Sequence, residues 1–466
     1  MQLHQYPATQ ICAALSAGDI QAKEVIHHQL ERIQRLNPVI NAVVTLNENQ
    51  PTSNMRPLAG LPITLKDQIY YRGMACTFGS ERYKGFHPTQ TASAVERLLN
   101  AGAQVMGKTN LPPLSMDFQC SNTLFGTTNN PWNLEYTPGG SSGGGAAAIA
   151  AGMSFVDIGT DLSGSLRIPA SFCGVFSLLP SEDAIPIDGT MPNEAAPLKH
   201  FARMGPIART CDDLDLVWTH MNNQPDVGQK EFKMPKVNWS VDSGGIEVCK
   251  SIVKCFESAK NAWEESGVHV VQAQPKDFDF KRARRAFGEI MGFETSALMS
   301  APVRFLSSIL GRASARRSPE FIANVMLGYR HNKSRLSNAI DEKKILSGAI
   351  DAFLTDNSVW VLPVTATSVF KHMAPTSDRN GVRDYALPMY INEQPVNYFD
   401  AMAAFTTPIS LTGHPVVTLP IGFDGNGLPI GAQLIGLKGQ EKELIETAKR
   451  LHNILKPHQC PMFTNG

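Results

Sequence analysis

Residues 137–148 read TPGGSSGGGAAA, with five glycines and two serines in the seven positions 139–145. Three chemistries compete for such a run: a flexible spacer, a cradle for phosphate, or a turn presenting a nucleophile. GGSSG (139–143) fits G-x-S-x-G, the elbow that lifts a serine above a sheet. That elbow follows a core strand, whereas residues 131–138 read PWNLEYTP, with a proline at each end. Its histidine partner should come late in the chain. His414 in LTGHPVV is available there, but a histidine flanked by glycine and proline reads as a loop residue held by backbone. GAQVMGKT (102–109) fits G-x-x-x-x-G-K-[ST] letter for letter. A phosphate loop needs a strand before its first glycine and a helix after the lysine; here helical spacing precedes Gly102, and Pro112-Pro113 block a helix. SIVK (251–254) matches S-x-x-K, on an amphipathic stretch with nothing nearby to support it.

Three other segments hold together better. They are GLPITLKDQI with Lys66, the glycine run with Ser141, and GTDLSGSLRIPASFCG with Ser165, which place a base and two hydroxyls 75 and then 24 residues apart. The surrounding elements alternate. Apolar spacing predicts one or two helices over 9–36, a short strand at 60–70 ending near the lysine, and a helix at 91–101 followed by a strand. AAAIAAG (146–152) reads as a helix closed by glycine, followed by the strand MSFVDIG. A helix over 246–263, a strand at His269–Val271, a hairpin around FDGNG and a terminal helix through Leu455 complete the pattern. Helix–strand units of this kind predict an α/β fold with helices on the faces of a sheet.

The bulk properties exclude little but point one way. Forty-two basic residues balance 42 acidic ones, so no nucleic-acid partner is expected from charge. The densest basic stretch, Lys281 to Arg317, reads as a solvated helical face or a docking patch. No secretory leader and no membrane span are expected, and eight scattered cysteines without a CxxC pair read as reduced thiols of a cytoplasmic protein.

At the three segments the chain resembles the amidase signature family. Its pattern G-x-P-x-x-x-K-D matches Gly60 to Asp67, and P-G-G-S-S-G-G matches Pro138 to Gly144. Around the third segment Gly159, Thr160, Asp161, Gly164, Ser165, Arg167 and Pro169 match. FGTTNNPWN, GPIARTCDDLDLV and TTPISLTGHPVVTLPIG extend the likeness over roughly 8–222 and 400–455. The resemblance implies a single compound α/β domain over 1–466, a mixed central β-sheet flanked by helices, with a divergent substrate-side region about 225–395. It implies a catalytic triad of Lys66, Ser141 in an unusual cis peptide, and the nucleophile Ser165. Backbone N–H groups of Leu162, Ser163, Gly164 and Ser165 would form the oxyanion hole, supported by Ser142, Asp161 and Arg167. It implies no cofactor and no metal, a small-molecule amide as substrate, and leaves a homodimer open.

The residue types suit that chemistry. A serine hydroxyl needs a base, and lysine serves only when neutral, so burial must lower its pKa by several units. Lys66 would then deprotonate Ser141, Ser141 would deprotonate Ser165, and Ser165 would attack the carbonyl. Ser142 is expected either to hydrogen-bond within the triad or to satisfy its turn, Asp161 and Arg167 to form a buried ion pair, and Asp67 to brace the glycine-rich loop. Two departures stand out. Ser163 replaces the usual glycine, so a side chain would crowd the oxyanion hole if that backbone needs positive φ. Past the nucleophile, Leu179 and Asp183 stand where the family has lysine and glycine. The readings are therefore amide hydrolysis, with acyl transfer, ester cleavage or a non-catalytic binding member as alternatives.

Overall fold

The computed structural model describes residues 2–47, 56–191, 200–222, 232–297, 299–354, 357–379 and 382–455. Its centre is one sheet of 11 strands. In chain order these are β1 (Val43–Leu46), β2 (Pro62–Lys66), β3 (Gln104–Thr109), β4 (Val156–Asp161), β5 (Phe176–Leu179) and β6 (Arg203–Ala208). Then come β7 (Lys236–Trp239), β8 (Val270–Gln272), β9 (Ser358–Pro363), β10 (Val416–Phe423) and β11 (Pro429–Ile435). Across the sheet they lie in the order β1-β3-β2-β4-β6-β5-β10-β11-β9-β7-β8. The sheet is mixed. β2 pairs in parallel with β3 and β4, β7 in parallel with β8 and β9, and the strands between run antiparallel.

Side chains alternate between the two faces of a strand, and both faces here are covered. On β9, Val359 and Val361 join one buried apolar cluster, Trp360 and Leu362 the other. The same alternation decides where Lys66 goes. Ile63 and Leu65 of β2 belong to the first cluster, so Thr64 and Lys66 turn to the opposite face, under the helix Gly143–Ala150.

Most expected elements are present with small shifts. The first two helices run Ala8–Ala17 and Ala22–Ile40, and FDGNG closes the β10–β11 hairpin. The helix expected at 146–152 starts earlier, at Gly143, and the strand after it begins only at Val156. The last three glycines of the run, Gly143–Gly145, are thus the first turn of a helix. Its second and third residues, Gly144 and Gly145, lie so close to Asn110 and to Asp157 Oδ2 that a Cβ at either would overlap them. The middle region, about 225–395, shares the central sheet, because β7, β8 and β9 complete it. No helix among the described residues is long and apolar enough to cross a membrane.

The rejected motifs are also placed. Lys108 of GAQVMGKT is buried in β3 and donates to the Ile69 carbonyl. His414 accepts or donates at Thr412 Oγ1 (3.0 Å) and Asp351 Oδ1 (2.9 Å), partners on side chains rather than the expected backbone.

The close approach at Gly145 makes a testable contrast. Gly145→Ala should destabilise the protein by about 2 kcal/mol or more through overpacking. Gly348→Ala, in a helix with open space around it, should stabilise by about 0.5–1 kcal/mol. Thermal midpoints of the two variants against the parent measure both.

Candidate active site

Lys66 ends β2 with no exposed surface. Its Nζ donates to Ser141 Oγ at 2.6 Å and to Thr160 Oγ1 at 3.0 Å. Burial pulls its ammonium down from 10.5 to about 7, against the opposing charges of Asp161 and Asp157. A lysine there is neutral for a large share of the time at neutral pH and can take a proton. Thr160 passes the network on, donating to Gln68 Oε1 at 3.0 Å, and Gln68 donates to the Thr190 carbonyl at 2.9 Å.

Ser141 is fully buried and follows a cis peptide bond from Gly140. Gly140 packs on the backbone of the 118–119 loop so tightly that an added Cβ would lie 2.7 Å from the Gln119 carbonyl oxygen. Ser142 ties the run to the third segment. Its N–H donates to the Ser165 carbonyl at 3.1 Å and its Oγ to the Thr160 carbonyl at 3.3 Å. The side chain therefore neither joins the Lys66–Ser141 pair nor closes its own turn. Ser141 and Ser165 make no direct hydroxyl–hydroxyl hydrogen bond; Ser142 is the bridge between them.

Ser165 sits on the turn between β4 and the helix Arg167–Cys173, nearly buried. The expected Asp161–Arg167 ion pair forms: Arg167 Nη2 donates to Asp161 Oδ1 at 2.9 Å and Nε to Oδ2 at 3.0 Å. Backbone N–H groups of Gly164, Leu166 and Arg167 donate to the same carboxylate at 2.7, 3.0 and 3.4 Å. Burial alone would raise that carboxyl, but the Arg167 charge and these hydrogen bonds bring it down to about 2. Arg167 Nη1 reaches the Thr406 carbonyl and Gln433 Oε1, at 2.9 and 2.8 Å, and Nη2 reaches Ser410 Oγ. The turn that carries Ser165 is thereby tied to β11 and to the helix Thr406–Thr412.

This arrangement corrects one expectation. The Gly164 N–H is already given to Asp161, so it is not free for an oxyanion. The N–H groups of Leu162, Ser163 and Ser165 have no acceptor among the described residues. Gly164 holds the positive φ of the turn, +127°, where a Cβ would lie 2.8–2.9 Å from Ile168 and Thr406. Ser163 is not among the residues with positive φ, so its side chain imposes no backbone strain. Its carbonyl accepts from Thr406 Oγ1 at 2.6 Å. Asp183 does carry positive φ, +63°, in the place where the family has glycine.

Asp67 is a second correction. Its carboxyl accepts from the N–H and Oγ1 of Thr77, closing a different turn from the glycine-rich loop. The carboxyl beneath that loop is Asp157 instead. It accepts from Thr64 and Thr109 at 2.8 and 3.0 Å through Oδ1, while Oδ2 has no partner. Burial raises it to about 7. A lone acid inside the apolar strand SFVDIG was the available signal.

A second group without any signal in the sequence stands behind the 118–119 loop. Asp117 accepts from Tyr398 Oη, Tyr385 Oη and Arg383 Nη1 at 2.7, 2.6 and 3.0 Å. Arg383 and Tyr385 come from the divergent region, so that region is fastened to the loop under Gly140.

Known proteins carry the same architecture. A protein-family model described as Amidase matches residues 24–445. A glutamyl-tRNA(Gln) amidotransferase subunit of Carboxydothermus hydrogenoformans is 28% identical, over 99% of both chains. Among solved structures, 6-aminohexanoate cyclic dimer hydrolase superposes with a TM-score of 0.81 at 24% identity, over 99% of each chain. A bacterial aryl acylamidase superposes at 0.78 with 21% identity, over 96% of each.

Removing Arg167 tests how the turn is held. Arg167→Met leaves a buried carboxylate without its counter-charge and should cost about 3–5 kcal/mol, read as a lower denaturant midpoint. Asp161→Asn/Arg167→Met together should recover part of that loss.

Proposed function

Because the chain belongs to the amidase family, and so acts on carbon–nitrogen amide bonds, we propose that it hydrolyses a small-molecule carboxamide through an acyl-serine formed on Ser165. The supporting observation is the fully buried Lys66 amine 2.6 Å from Ser141 Oγ, with its pKa drawn to about 7.

In the neutral state Lys66 Nζ accepts the Ser141 proton as Ser141 accepts that of Ser165. Ser165 Oγ bonds to the amide carbon and the carbonyl becomes an oxyanion. The free N–H groups of Leu162, Ser163 and Ser165 are the donors available to it. The proton returns along Ser141 to the leaving nitrogen, the carbon–nitrogen bond breaks, and the amine departs. Water, deprotonated by the same relay, attacks the remaining ester and releases the carboxylate. For Ser141 to serve, its hydroxyl must turn between Lys66 and Ser165, and catalytic hydrogen bonds absent from an empty site commonly form only with substrate bound.

Amidotransfer, in which the nitrogen of the cleaved amide passes to a second substrate, is the second reading, favoured by relatives named as amidotransferase subunits. Free ammonia measured against carboxylate separates the two. Hydrolysis of a primary amide releases them in equal amounts, whereas transfer, with its acceptor present, leaves free ammonia short of carboxylate.

A fluorophosphonate probe should label the protein at a single serine. Labelling should vanish in Ser165→Ala, and Lys66→Ala should lower kcat by about 10³-fold or more. A folded parent protein that takes up no label would remove the nucleophilic reading.

The pH profile follows from Lys66. Its ammonium form has no lone pair, so kcat/KM should climb about tenfold per unit below the Lys66 pKa and level off above about 7. A rate flat from pH 5.5 to 8 contradicts the assignment of Lys66 as base.

A further inference from the structure

The helix Ala301–Leu310, inside the basic stretch, is built the wrong way round for water. None of its residues is buried. Phe305, Leu310, Leu306 and Val303 are 68, 64, 55 and 50% exposed, and Ile309 is exposed with them. The half-buried positions are the polar ones, Arg304, Ser307 and Ser308, with Arg304 turned back to the Met299 carbonyl. A surface helix normally presents the reverse. Ten residues are also too few to hold a helix alone in water, so this face needs an apolar covering.

Charge decides among the coverings. From Thr295 to Pro319 the chain has no acid and four arginines, 304, 312, 316 and 317. Arg317 is taken by Asp384. Arg312 and Arg316 are exposed and have no ion-pair partner among the described residues. A second copy meeting this face across a two-fold axis would set the patch against itself, arginines facing arginines. An anionic lipid surface answers both needs. Acyl chains accept the apolar side chains, and phosphates accept the guanidinium groups beside them.

We propose that the helix Ala301–Leu310, with Arg312 and Arg316 after it, docks the enzyme on an anionic membrane surface without crossing it. The next residues are well anchored. Ser318 Oγ donates to Asp400 at 2.5 Å, and Phe321 stacks on Phe399 with centroids 5.9 Å apart. The docking helix therefore pulls on a fixed point of the fold.

The experiment is sedimentation of the full chain with vesicles, which needs no turnover. The protein should pellet with phosphatidylcholine and phosphatidylglycerol in equal parts, and less with phosphatidylcholine alone. Phe305→Asp/Leu306→Asp should weaken binding to the anionic vesicles by at least about tenfold. Arg312→Gln/Arg316→Gln should weaken it by about fivefold per charge, and added salt should do the same to the parent. Both variants alter exposed positions, so their melting midpoints should match the parent's. Failure of the parent to pellet with anionic vesicles overturns the proposal, as does unweakened binding by the aspartate variant. A dimer that the aspartate variant splits, in a parent that ignores vesicles, assigns the face to a second copy instead.

Discussion

A carboxylate with no contact with water must be given back the donors it lost, and Asp161 receives five. Two come from the Arg167 guanidinium and three from N–H groups of the turn that carries Ser165. The turn's shape is the shape that delivers those donors. Its consequences spread outward, because the same guanidinium spends its remaining N–H groups on Thr406, Ser410 and Gln433. A local turn is thus braced by β11 and by a helix some 240 residues later in the chain. The interaction also decides what is left for chemistry: the Gly164 N–H is used, and its neighbours' are free.

The second constraint is closeness. Lys66 can sit beside Ser141 with a lowered pKa only if the helix above it comes near enough to exclude water. Gly144 and Gly145 remove the side chains that would hold that helix off β4 and the Asn110 backbone. The glycine run looks like a flexible spacer in composition, yet its last three glycines form a helical first turn whose residues are all buried. The absence of side chains there yields rigidity, since a fully packed backbone has nowhere to move.

Much of the candidate site was legible in the sequence because it is carried by contiguous strings. Lys66, Ser141, Ser165, Asp161 and Arg167 each stand in a motif, and their elements follow from apolar period and glycine placement. What escaped is non-local. Asp117 gathers Arg383, Tyr385 and Tyr398 across more than 260 residues, and no periodicity announces such a meeting. The use of the Gly164 N–H could not be read from letters, because it depends on which way a peptide plane faces. Lys108 shows the opposite failure. Its string is complete for a phosphate loop, but the strand that contains it buries the amine under the Ile69 carbonyl. The basic stretch that holds the helix at 301–310 was legible as a helical face, but its inversion was not, since which side meets solvent is decided by neighbours.

The Asp117 cluster has a consequence for engineering. The region about 225–395, read from the sequence as divergent, is not a detachable cassette over a constant base, because Arg383 and Tyr385 are moored to a carboxylate in the base itself. Grafting that region from another amidase would strand the buried Asp117 without Arg383 and Tyr385, directly behind the peptide that sets Ser141. Transplanting that region thus means carrying the 117–121 loop with it, so that the region and the backbone that seats Ser141 are inherited as one unit.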